Sequence, residues 1–403
     1  MTPSKSKLIF IVVTCVALFA LGQFHRASGS VFSPILIERL SLTGTAIGIL
    51  AGAMFFANII AQTPLGAALD RFGARRMVTL GVFLTAVGTV WFAVADGYWS
   101  LLSARALIGF GLTVTGPGIN VVIARYYPAK QFGFMMGLIG ALGGVGGLLG
   151  TFPLSLALSN FAWTSVFLFV ALITALLMAM ILLSFESPGP AVKEEGNEGS
   201  PQGYLDLLKS AEIWKILILG TCTFAPITAI TGLWGGPYFE TVHQATSDVY
   251  GGIMFFLFSA SITASLVFGV LDRVMKSRKK LILTSVIVST FCLSVLATIP
   301  NPSIYLAATL LFAMVFCQQF YIALWAHLRK VVPQAVLGRA TTLILLASVG
   351  AIPTMQTLIG MIIDLTLYLG TDIQQSYRAA FAFMALCIAL TGFVYSKTKM
   401  ANN

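Results

Sequence analysis

The sequence predicts an all-α membrane protein of twelve transmembrane helices in two related halves. Three observations carry this. Of 403 residues, 58% are hydrophobic and only 9% charged, too few charges to keep a soluble protein of this size in solution. The apolar residues come in long blocks and do not alternate with polar ones. The basic residues fall in alternate gaps between those blocks, as topology signals do. A soluble enzyme is excluded on the same grounds.

Taken in order, the spans are placed at 8–36, 44–67, 77–95, 99–124, 134–159, 163–185, 213–238, 249–271, 281–299, 304–327, 339–363 and 378–396. Lys5 and Lys7 ahead of an apolar stretch resemble the start of a signal peptide. The stretch runs from Leu8 to about Leu21 and on, less purely, to Ile37. That is too long for a signal h-region, so it is read as an uncleaved first helix. The five cysteines all fall inside apolar runs, without metal-ligand spacing, and read as small buried residues.

Residues 186–212 break the rhythm. They include Pro188, Gly189, Pro190, Lys193, Glu194, Glu195, Glu198 and Pro201, the composition of a polar linker. Its second part, Tyr204 to Lys215, is expected to form a short amphipathic helix on the inner surface. The linker divides the chain into an N-terminal six-span unit, 1–185, and a C-terminal one, 213–403. Two features repeat between them. Asp70-Arg71 after span 2 matches Asp272-Arg273 after span 8, at an offset of 202. Pro128 and Gly133 after span 4 match Pro333 and Gly338 after span 10, at an offset of 205. Recurrence at nearly one offset indicates a six-plus-six duplication.

Charge orients the chain. With the N-terminus in the cytoplasm, 20 of the 24 basic residues lie inside and two, Arg39 and Arg378, outside. The remaining two, Arg26 and Arg105, lie within spans. Both termini are therefore assigned to the cytoplasm, and the protein to the cell (inner) membrane. The net charge of +10 serves as an orientation signal and as contact to anionic lipid, with no call for a nucleic-acid partner.

The most specific stretch is Gly66-Ala67-Ala68-Leu69-Asp70-Arg71-Phe72-Gly73-Ala74-Arg75-Arg76, between spans 2 and 3. So few residues between two spans require a tight hairpin, and Gly73 is the residue able to take the left-handed conformation of a sharp reversal. The spacing G-x-x-x-D-R-x-G-x-R-R resembles the signature loop of the major facilitator superfamily of secondary transporters. The second copy is degraded: Gly269 stands three residues before Asp272, and Met275 replaces the glycine. Arg105 with Gly109 and Gly111 is similar to that family's R-x-x-x-G pattern in span 4. Leu233-Trp234-Gly235-Gly236-Pro237-Tyr238 is similar to a sequence recurring in one branch. The resemblance implies two six-helix bundles around a central cavity, working by alternating access. It also places Asp70 near the start of span 11, around Gly338 to Ala340. There a carboxylate suits the positive helix terminus, with Arg71, Arg75 and Arg76 adding ion pairs. Asp70, Arg71, Gly73, Arg75 and Arg76, and more weakly Asp272 and Arg273, are thus expected to be gating residues.

Every Asp and Glu is placed in a loop or at a span end, Asp364 among those outside. What the spans bury is positive. A charged side chain in hydrocarbon costs at least ~2.5–3.5 kcal/mol, so Arg26 should face a cavity or a partner, unless it snorkels. Related anion transporters contact substrate through an arginine of span 1, and the resemblance extends that role to Arg26. The planar guanidinium suits a carboxylate or phosphate. Gln23, His25 and Arg105 are candidate companions, and so are Gln318 and Gln319, because two adjacent amides cannot both face lipid cheaply. His25 is the side chain there able to titrate near neutral pH. His327 reads as interfacial. Glycine-rich span 5 reads as a close-packing face. Gly137, Gly146 and Gly150 keep the spacing of the antiporters' G-x8-G-x3-G-P, but Thr151 replaces the proline.

The sequence thus points to a secondary transporter of a small organic anion, coupled to a proton or a counter-anion. It offers no Walker loop for ATP, no cofactor or metal constellation and no enzymatic nucleophile. The alternatives are a proton-coupled multidrug or metabolite exporter and a non-transporting membrane sensor.

Overall fold

In a computed structural model of the chain, residues 4–186, 207–275, 277–333 and 336–398 are described. Their regular structure is helical, and twelve helices are long and apolar enough to cross a membrane. These are Lys5–Ala27, Gly44–Gln62, Arg71–Val94, Tyr98–Tyr126, Lys130–Asn160 and Trp163–Ser184 for spans 1 to 6. Spans 7 to 12 are Ala211–His243, Ser247–Asp272, Arg278–Thr298, Ile304–Val331, Leu337–Tyr368 and Ile373–Ser396. Large apolar side chains stand exposed at helical spacing, such as Leu266 with Val270, Ile287 with Phe291, and Leu386 with Leu390 and Phe393. Surfaces of that kind belong in lipid.

The chain forms two compact units, one of Met1–Ser41 with Ile49–Lys193, the other of Leu42–Gly48 with Glu194–Asn403. The first turns of span 2 thus belong to the second unit, while the residues on either side of them belong to the first.

In the first unit, span 1 is not one helix over 8–36. It stops at Ala27 and resumes as Gly29–Leu40. The Ser28 hydroxyl donates to the His25 carbonyl at 3.2 Å, which marks the break. Span 5 packs along span 1 through its glycines. A Cβ on Gly146 would lie 1.9 Å from the Ala20 carbonyl oxygen, and one on Gly150 2.7 Å from that of Phe24. Only hydrogen fits there, so the close-packing reading of span 5 holds at these positions. Gly109 of span 4 meets the Met54 carbonyl of span 2 in the same way, at 2.0 Å. Phe32, Phe92, Trp163 and Phe167 close one end of the unit, with ring centroids 4.5 to 6.4 Å apart.

The hairpin between spans 2 and 3 turns at Gly73, with φ 79° and ψ 156°. The positive φ is the expected one, but ψ is extended and departs from the left-handed helical value that the reversal was expected to use. This extended region of positive φ is open essentially to glycine alone. In the second copy Met275 cannot follow, and takes φ −75° and ψ 127°. Ser277, the cap of span 9, is likewise extended, with φ −132° and ψ 104°.

In the second unit, span 7 contains a π-helical turn, Ile230–Trp234. Span 10 is broken by a 3-10 turn at Gln318–Phe320. Span 11 runs on to Tyr368, so Asp364 lies inside a helix and not in the loop beyond it. The amphipathic helix expected over Tyr204 to Lys215 falls partly outside the described residues. Within them it is interrupted at Ser210, where ψ is 116°, and Lys215 belongs to span 7.

Basic residues cap helix ends. The Arg75 guanidinium donates to the Leu182 carbonyl at 2.8 Å, and Arg378 to those of Ala297 and Thr298 at 2.9 and 3.1 Å. Lys215 and Lys279 donate to the Lys397 and Thr398 carbonyls at 3.0 and 2.7 Å. Each cation meets the negative end of a helix.

Candidate functional site

Arg26 is exposed and lies near the end of the first segment of span 1. Its guanidinium Nη1 donates to the Gln23 amide oxygen at 3.3 Å. Among the described residues no carboxylate pairs with it. At 1.5 Å per residue, Arg26 lies roughly 28 Å along the helix from Lys7 and roughly 20 Å short of Arg39. Lys7 and Arg125 both pair with Glu186. Arg39 pairs with Asp96 at 3.2 Å. The Lys7 hydrogen bond holds the Glu186 carboxyl below the usual carboxylate range. If these two ion-pair groups mark the headgroup levels of a bilayer about 40–45 Å thick, Arg26 stands within the hydrocarbon depth.

His25 does not join Arg26. Adjacent helical residues point about 100° apart, and His25 is buried. Its ring stands edge-on to Phe24 at 5.6 Å, and its Nε2 meets no partner.

Arg105 is also buried, 2% exposed, and does not snorkel. Its Nη1 donates to the His25 carbonyl at 3.3 Å. Its guanidinium lies 5.1 Å from the centroid of Phe32 and 5.9 Å from that of Phe92. The break at Ser28 leaves the His25 carbonyl without its usual helical partner, and Arg105 occupies it.

The two glutamines of span 10 differ. The Gln319 amide nitrogen donates to the Ser261 hydroxyl, and the Ser265 hydroxyl donates to the Gln319 amide oxygen at 3.3 Å. Gln318 is fully buried, with neither amide atom partnered. Tyr321 lies against Phe224, centroids 4.8 Å apart. His327, near the C-terminal end of span 10, is buried, and its Nδ1 lies 2.7 Å from the Tyr395 hydroxyl.

In the loop between spans 2 and 3, Arg71 lies over Phe72, 5.2 Å from its centroid, and Arg76 is exposed. Asp272 is held by Arg278 through two hydrogen bonds, of 2.6 and 3.0 Å. The side chains of Asp70 and Arg273 lie outside the described residues.

Sequence reasoning missed Ser261 and Ser265, one turn apart in an apolar run, and Gln356, the lone amide of span 11. The Gln356 side-chain amide nitrogen donates to the Thr228 carbonyl at 3.4 Å, and the Gln356 backbone carbonyl accepts from the Trp234 indole at 3.1 Å. It thereby brackets the π-helical turn, for which the Trp-Gly-Gly-Pro run was the available signal.

Residues 12–355 match the family model described as Major Facilitator Superfamily. The chain belongs to the major facilitator superfamily. Like that superfamily's secondary transporters, it is an integral membrane protein. It is 25% identical over 171 residues to the uncharacterized transporter YybO of Bacillus subtilis, covering 42% of this chain and 39% of that one. It is 23% identical over 222 residues to the riboflavin transporter RibZ of Clostridioides difficile, covering 54% and 45%. Over 124 residues it is 30% identical to the quinolone resistance protein NorA of Staphylococcus aureus, covering 29% and 32%. The chain thus spans less than half the length of these relatives. The fold superposes on a bacterial homologue of the human lysosomal transporter Spinster with a TM-score of 0.81, at 14% identity and 98% coverage of both chains. It superposes on a D-xylose–proton symporter with a TM-score of 0.76, at 16% identity, covering 97% and 99%.

Proposed function

We propose that this major facilitator transporter moves a small organic anion by alternating access, with Arg26 as the anion anchor. The observation behind this is an exposed guanidinium in a helix long and apolar enough to span a membrane, whose one described acceptor is the neutral Gln23 amide. A cation taken out of bulk water needs a counter-charge. Here the substrate supplies it, two oxygens of a carboxylate or phosphate meeting the planar fork. Gln23 steadies the guanidinium, and Arg105 holds the backbone beside it. The coupling partner is a counter-anion or a proton, with His25 as the group to test between pH 5 and 8. Both termini lie in the cytoplasm on the charge count, and the Asp70 loop latches that face. A riboflavin transporter and a quinolone resistance protein among the relatives favour one second reading, a drug or metabolite as the substrate, for which a proton-coupled exporter is the alternative mechanism.

Uptake of labelled carboxylates and of cationic dyes into proteoliposomes separates the two. Arg26→Ala should raise the KM for the anion more than tenfold, given ~2–5 kcal/mol for a desolvated charge pair that loses one partner. Arg26→Lys should recover little, having no planar fork. An unchanged KM in Arg26→Ala, or transport of dyes alone, refutes the anion reading.

A further inference from the structure

The start of span 2 is held by a residue far away in sequence. Gly44 and Thr45 open the helix, and their N–H groups have no acceptor within it. The Asp364 carboxylate takes both: Oδ1 accepts from the Gly44 N–H at 2.6 Å, and Oδ2 from the Thr45 N–H at 2.7 Å and the Thr45 hydroxyl at 2.5 Å. The next N–H, that of Ala46, is capped locally by the Thr43 hydroxyl at 3.2 Å. Below the carboxylate the two backbones touch. A Cβ on Gly360 would lie 2.1 Å from the Gly44 carbonyl oxygen, and one on Gly48 2.6 Å from that of Gln356. Gln356, Gly360 and Asp364, each one turn apart, thus form a seam against residues 44–48.

All of this lies in the second unit, to which residues 42–48 belong although both flanking stretches belong to the first. We propose that Asp364 is a releasable latch on this segment, a positioning residue for the transport movement. The contacts that close the seam are polar atoms and glycine backbone. Water can satisfy a free carboxylate and free helix N–H groups, so the segment has a second stable state, unclasped. An anion at the positive end of a helix makes the clasped state the resting one. The inference rests on the protein being a transporter with moving parts, and it is independent of the substrate's charge.

Ile47 is fully buried beside the clasp and serves as the reporter. In a cysteine-free, full-length protein reconstituted in liposomes, Ile47→Cys is labelled with a membrane-impermeant maleimide. Asp364→Ala and Gly360→Ala should each raise the labelling rate about tenfold, and Asp364→Asn, which keeps one acceptor oxygen, about threefold. Asp372→Ala is the control. Asp372 caps span 12 by accepting from the Gln375 N–H at 2.6 Å, has no contact with the seam, and should leave the rate unchanged. If Asp364→Ala does not fold, Asp364→Asn and Gly360→Ala decide. Unchanged labelling in these variants, or an equal rise in Asp372→Ala, overturns the latch.

Discussion

Two arginines with the same sequence signature, a lone cation in an apolar span, come out differently. Arg26 is exposed with a neutral acceptor. Arg105 is enclosed by aromatic faces and a backbone carbonyl. The cation–π contacts contribute about 2 kcal/mol when desolvated, and a charged hydrogen bond about 1.5–3 kcal/mol. Arg105→Ala should therefore lower the thermal midpoint in detergent by several degrees. The KM of the protein that remains folded should change less than threefold. A large KM change at unaltered stability would instead make Arg105 a substrate ligand. Neither outcome is written in the local sequence, because exposure depends on which neighbouring helix covers the residue.

At the scale of elements, the glycines of span 5 divide sharply. A Cβ at Gly146 runs into the Ala20 carbonyl, while Gly137 and Gly140 have nothing within 4 Å of theirs. Alanine in a helix is favoured over glycine by about 1 kcal/mol. Gly140→Ala should therefore be neutral or slightly stabilising, whereas Gly146→Ala should force spans 1 and 5 apart. Thermal unfolding of both variants checks this, and equal midpoints would refute it. The glycine-rich composition of span 5 announced close packing but not which glycines make it. Gly143, Gly146 and Gly150 share one helical face against Phe19, Ala20 and Phe24, and where along its length a span meets its neighbour is not written in its own sequence.

At the scale of the whole molecule, two carboxylates are assigned opposite tasks. Asp70 is proposed to latch the cytoplasmic face and Asp364 to clasp the other end of span 2. Asp70→Asn should shift the population toward inward-open states and slow transport, leaving expression and insertion intact. Asp364→Ala should shift accessibility the opposite way. Asp272→Asn should do less than Asp70→Asn, since Asp272 is already engaged by Arg278 within its own unit. Cysteine accessibility scanned from both faces tests the set; shifts of the same sign for Asp70→Asn and Asp364→Ala would refute the opposed arrangement.

The twelve spans and the family were legible in the sequence, because hydrocarbon imposes one rule on every spanning segment. Backbone groups must be bonded within a helix, and side chains must be apolar for about twenty residues. That rule is local, so a window along the chain detects it. The hairpin glycine was legible for a similar reason, since a sharp reversal in few residues needs positive φ. The partners of the polar residues inside the spans belong to the tertiary structure. His25 and Arg26 are neighbours in the chain yet point apart. Gln318 and Gln319 are neighbours too, yet one is unpartnered and the other bonded to span 8. Asp364 meets Gly44 and Thr45 across more than three hundred residues. Such contacts are set by helix phase, by where helices break, and by which glycines let two backbones meet, quantities that exist only once the helices have packed.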